Sequence, residues 1–129
     1  MFNTFSAWWK RKRQEHRDSL MFERAVVVSF DEKLVSAKFP TGAKQTIAWQ
    51  AVHRVAIETN DSGPWGADVW WLLEGKENRV AYPQGATGDP EMLLQYPIRF
   101  PEFNDATVIK AMGCTSNARF VCWERRNGL

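Results

Sequence analysis

VHRVAIETNDSGPWGADVWWLL, residues 52–73, decides how this chain is read. Its first eight residues alternate. Val52, Arg54, Ala56 and Glu58 fall on one side, and His53, Val55 and Ile57 on the other. A period of two is the signature of a strand. The last six, Asp68 to Leu73, are apolar on both faces. That predicts a central strand covered on both sides, or one whose second face meets a partner. Between them, Gly63-Pro64 and Gly66 in NDSGPWGA (60–67) predict a break in regular structure and an exposed loop.

The same grammar extends in both directions. Upstream, RAVVVSF (24–30), LVSAKF (34–39) and QTIAW (45–49) read as strands, separated by polar or Pro-Gly turns. Downstream, Gly75-Lys76-Glu77-Asn78 turns into a sixth strand over 79–82. The period then changes. Asp89-Pro90-Glu91 predicts a helix start, with Asp89 as N-cap and Pro90 at the first helical position. Met92, Leu93 and Tyr96 form its buried stripe, and Pro97 is expected to end it. A linker over 98–103 leads to a second helix, capped by Asn104 or Asp105, with Val108, Ile109 and Met112 as its apolar face and Gly113 as its C′ residue. RFVCWE (119–124) is a last strand. At the other end, residues 2–18 read as a helix, with Phe2, Phe5 and Trp9 on one stripe.

Strands in series followed by helices predict an α+β fold. The expected form is a bent antiparallel sheet or barrel of six to seven strands, with an N-terminal helix and two short helices near the C-terminus. Residues 1–20 form a basic aromatic helix or arm, and residues 21–129 a single α+β domain. The strand series over roughly 24–112, with the phrase Trp49-x-x-Val52-x-x-Val55-x-Ile57, resembles small bacterial pleckstrin-homology-like (PH-like) proteins. In these a bent antiparallel sheet is closed by a C-terminal helix. The resemblance implies a PH-like barrel used as a binding scaffold. The chain departs from that pattern in having two helices after the strands and then another strand.

A chain of 129 residues buries enough surface to fold without metal or disulfide. The net charge of +2 is uneven. Lys10, Arg11, Lys12, Arg13, Arg17 and Arg24 outnumber Glu15, Asp18 and Glu23 in the first 24 residues, while the rest is slightly acidic. Two cysteines, Cys114 and Cys122, make neither a disulfide framework nor a metal-ligand spacing. The start lacks the charged-then-apolar order of a signal peptide, and no apolar run approaches the ~18 residues that span a bilayer. The expected location is cytoplasmic, with peripheral membrane contact as the variant.

The residues do not compose a catalytic constellation. Cys114 lacks a neighbouring base, with His53 and His16 distant in sequence, and nucleophilic catalysis needs such a base in contact. Glu58, Asp61, Asp68, Glu74 and Glu77 are acids at strand ends without the density of a calcium loop. Gly85-Ala86-Thr87-Gly88 lacks the ending of a phosphate loop, and Asp89 beside it repels anions. No enzyme, cofactor or metal is expected.

Two features point to contact. Trp65, between Pro64 and Gly66, is an aromatic on a rigid turn, the kind of residue that anchors interfaces. With Asp61, Asp68 and Trp70 it makes a protein-binding loop. The implied protein partner suits a small bacterial adaptor or a toxin-neutralising immunity protein. The second feature is the arm. Phe5, Trp8 and Trp9, followed by Lys10, Arg11, Lys12 and Arg13, have the make-up of an interfacial helix on an anionic membrane surface, unless the stripe packs on the domain. Nucleic acid is the weaker reading, since the body offers no basic groove. No residue pattern sets the oligomeric state.

Overall fold

The computed structural model describes residues 23–63 and 66–126, with the backbone alone over 61–63 and 66–68. The helix expected over 2–18 lies outside them. The strands are β1 (Val27–Phe30), β2 (Leu34–Lys38), β3 (Lys44–Ala48), β4 (Arg54–Gly63), β5 (Gly66–Glu74), β6 (Arg79–Pro83) and β7 (Ala118–Glu124). Helices α1 (Asp89–Arg99) and α2 (Asp105–Met112) lie between β6 and β7. The class is α+β, and every strand pair is antiparallel.

The strands form two sheets, ordered β1-β2-β3 and β6-β5-β4-β7, rather than the single bent sheet or barrel expected from the sequence. The division falls between β3 and β6. Their edges meet, but side chains bridge them in place of a ladder. The Ala81 amide donates to Gln45 Oε1 at 2.8 Å, and Asn78 Nδ2 donates to the Thr46 carbonyl at 2.7 Å. Both edges are thereby occupied, which blunts strand-to-strand aggregation.

Local chemistry fixes the turns. Asp31 Oδ1 accepts the amides of Lys33 and Leu34, each at 2.7 Å, closing the β1–β2 hairpin. Those two bonds, that from Leu34 first, hold the Asp31 carboxyl below its ordinary pKa. The 60–67 breaker is mostly strand. Gly63 pairs with Gly66, so β4 and β5 run to within two residues of each other. The register shift between Asn60 and Gly63 puts one extra residue on β4, a bulge that absorbs the irregular sequence. A second shift, between Val55 and Ala56, sets Cys122 as the extra residue of β7. Cys122 and Trp123 both reach the core there, and the amide of Asn104 takes the Cys122 carbonyl.

The core lies between the two sheets and α1. Val28, Val35, Ala37 and Ile47 meet Val55, Ile57, Trp71, Leu73, Val80 and Tyr82. Met92, Tyr96 and Phe100 enter from α1 and its C-cap. Tyr96 lies 5.1 Å from Trp71, centroid to centroid, and its hydroxyl bonds that of Tyr82. Trp49 donates its indole N–H to the Asp31 carbonyl at 2.9 Å. The Arg99 guanidinium lies 4.3 Å from the Trp49 ring, tying the end of α1 to the first sheet.

Both helices depart from the expected boundaries or faces. Asp89 is the first residue of α1 and Gly88, in the left-handed region at φ 94°, is its N-cap. Asp89 instead turns inward, accepting the Gly85 amide at 3.1 Å. Pro97 is inside α1, which continues to Arg99. Pro97 has no N–H to give the carbonyl of Leu93, one helical turn back. In the second helix Asn104 caps the Thr107 amide as expected. However, Ile109 is 74% exposed, and the buried residue is Ala111. Gly113 is the C-cap at φ −90°, an ordinary right-handed conformation.

Candidate binding groove

The four-stranded sheet has a second, outward face, and the register orders it in rows. Ala81, Leu72, Ala56 and Val121 lie side by side across all four strands. On one flank run Arg79, Glu74, Arg54 and Glu124, and on the other Pro83, Trp70, Glu58 and Arg119. Ala56, Leu72 and Ala81 are buried as a cluster separate from the main core, with Trp70 packed against it. The doubly apolar character of DVWWLL follows from this. Trp71 and Leu73 serve the inner core, and Trp70 and Leu72 the outer face.

Ion pairs brace one side of this face. Arg119 bonds Glu58 at 2.8 Å and also reaches Glu74, crossing the apolar row. Arg54 bonds Glu124 at 3.0 Å and approaches Glu74 at 4.0 Å. Glu58 and Glu74, expected to be solvating acids at strand ends, are thus neutralised in a network that joins β4, β5 and β7. Such exposed pairs contribute little stability singly, and they fix geometry more than they stabilise.

Beside the network lies an open groove of about 420 Å³, lined by Phe39, Gln45, Glu58, Asn60, Trp70, Leu72, Arg79 and Ala81. It lies over the seam between β3 and β6. The two half-buried aromatics supply contact area over a floor of buried Leu72 and Ala81, while the amides of Gln45 and Asn60 supply orientation. Its volume falls within the usual range of binding clefts, roughly 300–1,000 Å³.

Of the four residues expected to bind protein, Trp70 lines this groove. Asp68 stands opposite Asn60 in the ladder, and Asp61 follows Asn60 on β4. Trp65 lies outside the described residues. So does the arm, with Phe5, Trp8, Trp9, Lys10, Arg11, Lys12 and Arg13. Phe39, Gln45 and Arg79 were not singled out from the sequence. The only signal for them was the apolar second face of β5, which required that something lie opposite it.

The nucleophile and base considered from the sequence are not brought together. His53 precedes β4, where its amide bonds the Glu74 carbonyl and its own carbonyl takes the Arg125 amide. Cys114 bonds Ser116 near Thr59, at the far end of the same strand. Six residues of strand separate those ends, roughly 20 Å. Hydrogen bonding with Ser116, and then with Thr59, lowers the Cys114 pKa, while burial pushes the Cys122 thiol up to about 11. Among the described residues no group of three His, Cys, Asp or Glu side chains is placed to hold a metal ion. Nor is any described helix long and apolar enough to cross a membrane. Compared with known proteins, the chain matches no family model, no curated protein sequence and no solved structure.

Proposed function

We propose that this chain is a non-catalytic protein-binding module that engages its partner through the outward face of the β6-β5-β4-β7 sheet. The observation that carries the reading is the groove itself, in which the half-buried Trp70 and Phe39 line an opening beside a buried apolar row. Aromatic side chains at the centre of such a surface supply most of the energy in protein interfaces. The surrounding ion pairs link three of its strands, and a face ordered before docking loses less conformational entropy when a partner binds. A small adaptor, or a protein that neutralises a toxin by covering it, fits a surface with contact residues and no chemistry.

In the test, a photo-reactive benzoylphenylalanine replaces Trp70 and the full-length protein is irradiated in its host cells. A discrete protein adduct at position 70, missing when the probe replaces the exposed Lys110 of α2, is the expected result. Adducts with lipid alone would move the reading to the membrane surface. Equal adducts at both positions would defeat the assignment of this face.

A further inference from the structure

We infer that the outward face of α1 is covered by the chain's own first 22 residues, with Phe2, Phe5 and Trp9 as the anchors. No residue of α1 lines the groove, so the binding-module reading does not depend on this second surface. The helix carries apolar residues on both sides. Met92 and Tyr96 fill the core, while Leu93, Leu94, Pro97 and Ile98 on the opposite side are exposed. Leu94 keeps 69% of its surface in water and Ile98 76%. They stand four residues apart, one above the other along the helix. A helix with apolar residues on both sides is one that is covered on both sides.

Charge and chain length select the occupant. Glu91, three residues before Leu94 and seven before Ile98, is exposed on the same stripe and has no ion pair among the described residues. Arg99, the one cation of α1, is turned away over the Trp49 ring. The face is therefore apolar with an acidic end, which suits a basic aromatic segment and disfavours an anionic membrane. Residues 1–22 are such a segment. Phe2, Phe5, Trp8 and Trp9 precede the basic run 10–13, and five cations stand against two acids. Their point of attachment is beside α1. Glu23 lies against Gly85, whose amide bonds Asp89 in the first turn, and the Arg24 carbonyl takes the Thr87 hydroxyl at 2.7 Å. Over 90–98 the face is about 12 Å long. Residues 10–22 span about 20 Å as a helix and more if extended, enough to bring the aromatics to it. A second copy fits less well, because four exposed apolar side chains fall short of the roughly 800 Å² that each partner buries in a stable interface. A tethered segment needs less area, since its attachment holds it at a high effective concentration.

The experiment places photo-reactive benzoylphenylalanine at Leu94 or at Ile98 of the full-length protein, and at Val121 on the outward face of the four-stranded sheet as the control. All three positions are exposed. Isotope-labelled and unlabelled protein are mixed before irradiation, and tryptic adducts are mapped by mass spectrometry. The expected adduct joins α1 to the peptide of residues 1–10 within one isotope, from both α1 positions and not from Val121. It is lost in Phe5→Ser/Trp9→Ser, and its yield falls about twofold or more in Glu91→Lys. Circular dichroism and melting confirm that each variant folds. If the double variant does not fold, Glu91→Lys and the isotope map still decide. Adducts that mix the two isotopes would overturn the inference in favour of a second copy. Lipid adducts in place of the peptide, when phosphatidylserine vesicles are present, would make a membrane the occupant. Peptide adducts indifferent to both variants, or equal adducts from Val121, would overturn the anchoring of residues 1–22 on this face. No adduct from either α1 position would leave the face bare and overturn the inference outright, with the groove untouched.

Discussion

Asp89 shows how one side chain can serve the fold at a cost that depends on pH. It is 5% exposed, its Oδ2 accepts the Gly85 amide, and its Oδ1 has no hydrogen-bond partner among the described residues. Burial raises its pKa, opposed by the Gly85 bond, with Glu91 adding to the rise. A carboxyl with a raised folded-state pKa binds its proton more tightly folded than unfolded. Its contribution is therefore fully present below the unfolded value, about 3.9, and is lost as pH rises through the folded value. Asp89→Asn keeps an oxygen for Gly85 and removes the charge. The variant should gain stability relative to the parent as pH rises from about 4 to 7, measured by urea unfolding at each pH. A difference that stays flat across that window would show that the ionised carboxyl is not penalised. The residue scale is also where the sequence was least legible. Asp89 has the composition of an N-cap, and only the fold turns it inward. Trp70 was singled out as a contact residue from its neighbour Trp65, yet the groove it lines is built by Phe39, Gln45 and Arg79 from distant strands.

Among the elements, the strands were legible and their limits were not. Alternation over 52–59, and apolar or β-branched runs bounded by turn signals elsewhere, located every strand. The 60–67 segment was misread because Gly and Pro signal a break without saying how much chain it takes. The bulge at Asn60–Gly63 lets the hairpin continue to a two-residue connection. Pro97 was misread for a related reason, since one missing helical bond need not end a helix that is packed along the rest of its length. The face of α2 was misread because hydrophobicity named Ile109 and Met112, whereas packing on β7 left them exposed. Gly88 marks a junction where an element boundary is set by space. It has φ 94°, and a Cβ there would lie 2.0 Å from the Val28 carbonyl oxygen. Gly42 has φ 91° with open space around it. Ala at Gly42 should cost about 1 kcal/mol of conformational strain. Ala at Gly88 must also displace β1 from α1 and should cost on the order of 2–4 kcal/mol. Thermal melts of the two variants separate the terms, and equal losses would mean that the Val28 contact yields freely.

At the level of the whole molecule, the seam between the sheets decides both shape and site. No local sequence signal announces it, because β3 and β6 are more than thirty residues apart and each reads as an ordinary strand. The three-stranded sheet is joined there by Gln45 to Ala81 and by Asn78 to Thr46. A regular ladder across that line would merge the two sheets into one and flatten the bend that encloses Tyr96 and Met92. The same opening places Phe39 and Gln45 across from Trp70 and leaves the groove between them. Gln45 therefore has two consequences. Its side chain is the acceptor for a backbone amide on a residue that is 8% exposed, and it is part of the groove wall. Gln45→Ala leaves the Ala81 amide without a partner, which should cost about 1–3 kcal/mol in urea unfolding. Hydrogen exchange should localise the change, with the Ala81 amide exchanging faster while the β4–β5 ladder keeps its protection. Unchanged protection at Ala81 would mean that the sheets are held by the shared core alone. Faster exchange spreading across both sheets would mean that the seam governs global unfolding rather than a local opening.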